Sequence, residues 1–369
     1  MVSIHPDLFQ ILRGYASLVP PNRLQLPAHP QTQIIHDFLV DQILLNGHFQ
    51  KYPPSPEYQR SFWKWIISQL EQRMANDSEM EVDSRIYDHY MELLTSSTGA
   101  GATPGLTGQR PPSQAYVTHF WRLDQENGLP NAVDLDDYQT TTLLESRTMI
   151  ESGTTGLRTW LASFILAQYL ILNPVLVRRK RILELGAGVG FLGSVVASLQ
   201  LLERPSDGPS PGTLRMSDIN DAVLSRCNDN VNLPCNLSSS HPDMSCCFLD
   251  WSAALDTDGI APLTSLLNDE IDADLIVGAD IVFDPDLIPP LVAVLRLALQ
   301  VNSRPRSALI ALTTRNPTTM EKFTDAVRDS GLILGKVEFQ EDIMFMESLE
   351  RGGDANSGVN IFRISSKLQ

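Results

Sequence analysis

The chain has 369 residues, is 43% hydrophobic and 20% charged, and carries a formal net charge of −16. That length suffices for a large core or two domains, and the composition is that of a soluble globular protein. The acidic balance argues against a general binder of nucleic-acid backbone, which needs Lys and Arg against phosphates, and permits a cationic substrate or a basic patch on a partner.

The first residues, Met1 to Asp7, show neither the basic nor the apolar tract of a signal peptide. Asp7 to Val19 has helical apolar spacing and stops at Pro20-Pro21. A second helix is expected over His29 to Leu45. Ser55-Pro56 marks a helix start, with Ser as the N-cap and Pro in the first turn. The helix that follows puts Tyr58, Phe62, Trp65, Ile66 and Leu70 on one core-facing side, and a fourth is expected over Val82 to Leu94. Ser96 to Gln114 is rich in Ser, Thr, Gly and Pro and reads as a flexible loop. Tyr116 to Leu123 reads as a strand. The expected organisation is a helical region over 1–95, a linker over 96–115 and a larger domain over 116–369.

From Thr154 the pattern alternates helix and strand. The apolar segment Leu161 to Val177 is interrupted by Gln168, Tyr169, Asn173 and Pro174, so it reads as a buried helix rather than a membrane span. Strands are expected at Arg181–Leu185, Leu214–Ser217, Ser245–Leu249, Ala273–Ala279, Ser307–Thr313, Leu332–Phe339 and Val359–Ile364, the last two as an antiparallel hairpin. Asp284-Pro285 and Asn316-Pro317 each supply a capping side chain followed by Pro. The fold class is α/β: a Rossmann-like, seven-stranded, mostly parallel sheet with helices on both faces, preceded by the helical region. Cys227, Cys235, Cys246 and Cys247 form no Cys-x-x-Cys pair and have no His cluster, so no metal is expected and the thiols fit a reduced, cytoplasmic protein.

Arg181 to Phe191 runs an apolar strand through Glu184 into Gly186, Gly188 and Gly190 at alternate positions, and then into an apolar helix. Glycine permits unusual dihedrals and close backbone approach, and the helix start offers free N–H groups. Alone, this also suits an ordinary tight turn. Three further features stand at strand ends: Asp218, Asp250-Trp251, and Ala279-Asp280 followed by Ile281-Val282-Phe283. Ligands of open parallel sheets bind outside the carboxyl ends of the strands, so all four features lie along one edge. Asp218 is placed to bond ribose hydroxyls or to cap the helix near Asn220. Asp250 offers an acceptor for an exocyclic amine, Trp251 an apolar face for a purine, Ala279 a small wall, and Phe283 an apolar wall beside the Asp280 carboxylate. A dinucleotide favours Gly-x-Gly-x-x-Gly with a diphosphate on the helix. An acid beside the loop suits an α-amino group instead, and S-adenosylmethionine combines that group with a ribose, an adenine and a sulfonium.

Thr154 to Trp160, the Glu-Leu-Gly-Ala-Gly-Val-Gly loop, Leu249-Asp250-Trp251, Gly278 to Phe283 and Thr314-Arg315-Asn316-Pro317 together resemble the seven-β-strand protein-lysine methyltransferases. The nearest resemblance is to the branch that modifies translation elongation factor 2, and Tyr58 to Leu70 resembles that branch's N-terminal region. The resemblance implies S-adenosylmethionine as cofactor, with Trp160, Gly186, Ala187 and Gly188 lining it, Asp218 on the ribose, and Trp251 and Ala279 at the adenine and methionine sides. It places Asp280 to Phe283 at the lysine entrance, with Phe283 where Tyr is more frequent. Asp280 is expected to attract and orient the acceptor ammonium rather than to act as a strong base. The implied protein is a cytoplasmic, monomeric lysine methyltransferase acting on elongation factor 2, without nucleic-acid or membrane partners. Small-molecule methylation is an alternative that the N-terminal region and Asp-x-x-Phe disfavour; a non-catalytic binding module is another, which the intact edge disfavours. The N-terminal helices are expected to recognise a folded substrate or to serve as a cap.

Overall fold

The structure, a computed structural model, describes residues 3–75, 81–96, 114–123, 132–151, 153–202, 210–300, 304–339, 344–346 and 358–366. The expected linker over 96–115 and the polar segments over 203–212 and 348–358 fall largely outside the described residues. The chain divides into two compact units, Met1–Met149 and Ile150–Gln369.

The first unit contains β1 (Ser3–Ile4), α1 (Pro6–Ala16), α2 (Thr32–Phe38), α3 (Gly47–Lys51), α4 (Pro56–Met74), α5 (Ser84–Ser96), β2 (Ala115–Trp121), β3 (Val133–Asp134) and β4 (Gln139–Glu145). The start of α4 follows its sequence signal: the Ser55 hydroxyl accepts from the Tyr58 N–H at 3.3 Å, and Pro56 takes the first helical position. The face it buries carries Phe62, Trp63, Ile66 and Leu70; Trp65, expected there, is only half-buried, and Trp63 takes the core position. The helix expected over His29 to Leu45 is α2 followed by a wider π-helical turn, Leu39–Leu44.

The hairpin of β2 and β4 corrects the domain boundary. Its strands pair antiparallel from Ala115↔Glu145 to Trp121↔Gln139. Phe120 meets Phe9 of α1 edge-on, with ring centroids 5.7 Å apart, and Tyr116 lies 5.2 Å from Tyr52. The hairpin thus shares the aromatic core of the N-terminal helices, and the first unit ends at Met149 rather than before residue 116.

The second unit contains α6 (Leu161–Leu172), β5 (Arg181–Leu185), α7 (Phe191–Leu202), β6 (Thr213–Asp218), α8 (Asp221–Val231), β7 (Met244–Phe248), α9 (Ile260–Ser265), β8 (Leu275–Ala279), α10 (Ile288–Leu299), β9 (Ser307–Thr313), α11 (Pro317–Asp329), β10 (Leu332–Val337) and β11 (Val359–Ser366). As expected, α6 ends before Pro174, and among the described residues no helix is long and apolar enough to cross a membrane. Asn316 caps α11 through the Thr318 N–H at 3.0 Å. Asp284 caps a short 3₁₀ turn, Pro285–Leu287, that leads into α10.

The sheet order is β10-β11-β9-β8-β5-β6-β7. Neighbours from β9 to β7 are parallel, and β11 runs antiparallel to both β9 and β10, which makes the expected closing hairpin. The order reverses at β5, because β6 and β7 lie on one side of it and β8 on the other. That reversal opens a crevice at the carboxyl ends. Register is fixed by buried strand side chains such as Leu183, Leu185, Ile276, Ile310 and Leu312, each contributing about 1.5–3 kcal/mol. A one-residue slip would send these side chains to the opposite face of the sheet and break their packing. The register sets Leu185 beside Ser217 and Gly278, Asp218 beside Phe248, and Ala279 beside Ala311.

Candidate functional site

The turn after β5 is made by backbone geometry. Gly186 and Gly188 have φ of +64° and +56°, values in the left-handed region that favours glycine. The Ala187 N–H donates to the Ser217 carbonyl at 2.9 Å, and the Gly188 N–H reaches Asp218 Oδ2 at 3.4 Å. A Cβ on Gly188 would stand 3.1 Å from the Gly156 carbonyl oxygen. The loop therefore rests directly on the Thr154–Trp160 segment. A Cβ on Gly186 would stand 2.7 Å from Ile281 Cγ2 and 4.0 Å from the Trp251 ring. Gly186, Ala187, Gly188, Asp218 and Trp251 are thus brought together with the segment carrying Trp160.

Asp218 and Asn220 divide two tasks that the sequence allowed to one residue. Asn220 caps α8, accepting from the Ala222 and Val223 N–H groups at 3.0 and 3.2 Å. Asp218 accepts from the Asn220 and Gly188 N–H groups and stays at the strand end beside the loop. Burial raises its pKa, against the lowering effect of the backbone N–H groups of Asn220, Gly188 and Ile219. Asp250 accepts from the Ser252 N–H at 2.8 Å and so starts the short turn that carries Trp251.

Glu184 lies behind the loop rather than on its open side. It is 3% exposed. Its carboxyl packs against the first turn of α7, where a Cβ on Gly193 would meet Oε2 at 2.8 Å and Met216 Sδ at 2.4 Å. It accepts from the Gly193 N–H, and Oε2 has no hydrogen-bond partner among the described residues. Burial raises its pKa well above the usual carboxylate range, helped by Cys246 and Asp218. The sequence expects this carboxylate to face an α-amino group; the geometry has it enclosed under the helix start.

The other half of the edge is made by side chains. Asp280 has φ of +54°, which a residue such as Asp adopts only at some cost. Its N–H donates to the Ala311 carbonyl at 2.9 Å. Its Oδ1 accepts from the Thr313 N–H at 2.8 Å, and its Oδ2 from the Thr313 hydroxyl at 2.9 Å and from Arg315 at 3.1 Å. The Arg315 guanidinium lies over the Trp160 ring, 4.8 Å from its centroid, and the Trp160 indole N–H donates to the Thr155 carbonyl at 3.1 Å. Ala279 sits at the end of β8 beside Ala311. Phe283 is 58% exposed, and with Asp280, Thr313, Arg315 and Met320 it lines a recess.

No local sequence pattern marks the roles of Thr313 and Arg315; Thr314-Arg315-Asn316-Pro317 stands out only through the family resemblance. A signal does exist: Thr313 ends β9 and Arg315 follows it, and the parallel register of β9 with β8 brings that end to Asp280. Ile281, which closes against Gly186, is equally invisible to a search for polar groups.

A family model described as lysine methyltransferase matches residues 141–329. The protein-lysine N-methyltransferase EFM3 of Chaetomium thermophilum is 29% identical over 304 residues, which cover 80% of this chain and 81% of that one. The human protein-lysine N-methyltransferase EEF2KMT is 30% identical over 291 residues, covering 76% and 73%. A solved structure described as a putative SAM-dependent methyltransferase from Streptococcus mutans superposes with a TM-score of 0.41 at 12% identity, covering 77% of this chain and 67% of that chain. The chain belongs to the lysine methyltransferase family and is an S-adenosylmethionine-dependent enzyme acting on protein lysine.

Proposed function

We propose that the protein methylates a lysine of translation elongation factor 2, acting as a monomer in the cytosol. The observation that carries this reading is the extent of similarity to the two lysine methyltransferases named above. It spans more of the chain than the second unit alone can supply, so it reaches into the N-terminal unit as well as the fold that binds the methyl donor. We further propose that the N-terminal unit recognises the folded substrate.

The donor set at the β5–β7 edge fits S-adenosylmethionine. The backbone at Gly186 and Gly188 leaves no room for side chains and lets the chain approach a ligand closely. Asp218 keeps a carboxylate at the strand end for ribose hydroxyls, and Trp251 offers its ring to the adenine, with Asp250 holding the turn that carries it. Trp160 and Ala279 flank the methionine side. Glu184 supports the loop from behind, through the first turn of α7. When bound, the cofactor supplies a methyl group made electrophilic by a sulfonium.

The protein's own work is then alignment. A lysine amine has a pKa of about 10.4 in water, and entry into a site beside a cation and away from water favours the neutral amine that reacts. Asp280 is held by three donors, which suits a group that orients an acceptor better than one that takes up a proton. Phe283 and Met320 give the aliphatic stem of a lysine an apolar wall. Holding two reactants in line supplies roughly 7–11 kcal/mol of barrier reduction. The test is incubation of unmodified elongation factor 2 with the protein and methyl-labelled donor, followed by peptide mapping. Label on one lysine is expected; an unlabelled factor, with label on another cytosolic protein, would overturn the assignment of acceptor.

A further inference from the structure

We propose that Arg315 is a built-in stand-in for the acceptor's ammonium: it occupies Asp280 Oδ2 at rest and swings away when a lysine arrives. The proposal rests on the reading of Asp280 as the group that orients that lysine.

Four observations support it. First, the pair is lopsided: the Asp280 side chain is 6% exposed and that of Arg315 is 46% exposed. The arginine is the partner free to move, and ion pairs with one exposed member are weak. Second, the contact is a single bond from one guanidinium nitrogen to Oδ2 at 3.1 Å, not the two-pronged arrangement that makes arginine–carboxylate pairs strong. Third, Asp280 does not depend on Arg315 for its position. The Thr313 N–H and hydroxyl hold both carboxylate oxygens, and the Asp280 N–H is tied to Ala311. Removing the arginine leaves the carboxylate aimed as before, with one oxygen short of a cation. Fourth, the guanidinium has a second seat on the face of Trp160, where a cation is attracted by the ring. It can give up Oδ2 without being cast into solvent.

The recess that Phe283 and Met320 help to line also includes Asp280 and Arg315, so a lysine stem lying there would bring its ammonium to the position that Arg315 holds. Displacing the arginine is then a cost that every amine must meet. A lysine on a protein docked elsewhere meets it from docking energy, because binding by remote parts of a substrate can offset work at the reacting centre. Free lysine and small amines have no such source. Arg315 is thus a selectivity element that rejects acceptors not delivered by a larger surface.

The test uses n-butylammonium chloride, a lysine side chain without its backbone, titrated into the full chain and followed by ligand-observed NMR. Arg315→Gln is expected to bind it about threefold to tenfold more tightly than the unaltered protein, as loss of a weak ion pair predicts. Arg315→Lys, which keeps a cation in place, should bind it like the unaltered protein. The gain should vanish in Asp280→Asn/Arg315→Gln. Equal or weaker binding to Arg315→Gln, or a gain that survives Asp280→Asn, would overturn the proposal. Should Arg315→Gln fail to fold, Trp160→Leu removes the guanidinium's second seat, makes Arg315 harder to displace and should weaken binding by about twofold; no change, or tighter binding, there would count against the proposal equally. None of these readings requires turnover, so a failure of elongation factor 2 as acceptor and a failure of the Arg315 proposal give different results.

Discussion

The two halves of the carboxyl edge of the sheet are built from different materials. From β5 to β7 the edge is mostly backbone: glycines with positive φ, N–H groups aimed at Asp218, and contacts so close that a Cβ would collide. From β8 to β9 it is mostly side chain: Asp280 tied to Thr313 and Arg315, with Arg315 stacked on Trp160. Backbone geometry admits almost no variation, which suits a ligand that is always the same. A network of side chains can be retuned by single substitutions, which suits an acceptor that differs from one enzyme to the next.

The largest effect should come from disturbing the backbone half. In Gly188→Val, a β-branched residue would be forced to φ near +56° and against the Gly156 carbonyl oxygen. Strain of about 1–3 kcal/mol plus the clash should weaken binding of S-adenosylhomocysteine by roughly ten- to a hundredfold. Calorimetry on a variant that still melts cooperatively would show this; unchanged affinity would break the claim that the loop is a backbone cradle. A smaller effect is expected on the side-chain half. Phe283→Ser removes an exposed apolar wall, and it should raise the KM for the protein acceptor about threefold to tenfold, as partial loss of an aromatic contact implies, while cofactor affinity stays the same. A parallel loss of cofactor affinity would blur the division between the halves.

How far the sequence displays this arrangement depends on the range of the signal. The glycine spacing, the strand ends and the Asn316-Pro317 cap are local patterns, and each stands where local rules put it. Asp280 and Arg315 are 35 residues apart in the chain, and only the register of β8 with β9 brings them together. No periodicity carries that information. Glu184 shows a different limit. A strand-end acid can face either side of the sheet, and the face that buries it is decided by α7 packing above. The boundary at Met149 was hidden for a third reason: β2 and β4 are joined by tertiary pairing, and their aromatics pack on helices early in the chain.

Glu184 also yields the smallest of the expected effects, and it sharpens the comparison by testing what lies beneath the backbone half. Burial raises its pKa well above the usual carboxylate range in the folded state. The folded protein therefore holds this proton where the unfolded chain has lost it. The associated stability is fully present below pH about 4.5 and is lost as pH rises through the folded pKa. Glu184→Gln carries no such titration. The two proteins should keep a constant difference in melting temperature below about pH 4.5, and the variant should gain on the unaltered protein as the pH rises above that. A pH-independent difference would mean that Glu184 is ionised and satisfied in the fold.

The division between the halves is tested most directly by two conservative substitutions measured side by side. Asp218→Asn and Asp280→Asn each remove one charge at one strand end, and Asn tolerates the positive φ at position 280. For each, S-adenosylhomocysteine affinity is read by calorimetry and turnover on the protein acceptor at saturating donor. The predicted result is a crossed pattern: Asp218→Asn loses affinity by about tenfold or more with turnover largely kept, and Asp280→Asn loses turnover by about tenfold or more with affinity kept, as expected for lost hydrogen bonds to a charged group. If both substitutions lower both quantities together, the edge works as one unit and the account given for its two halves is wrong.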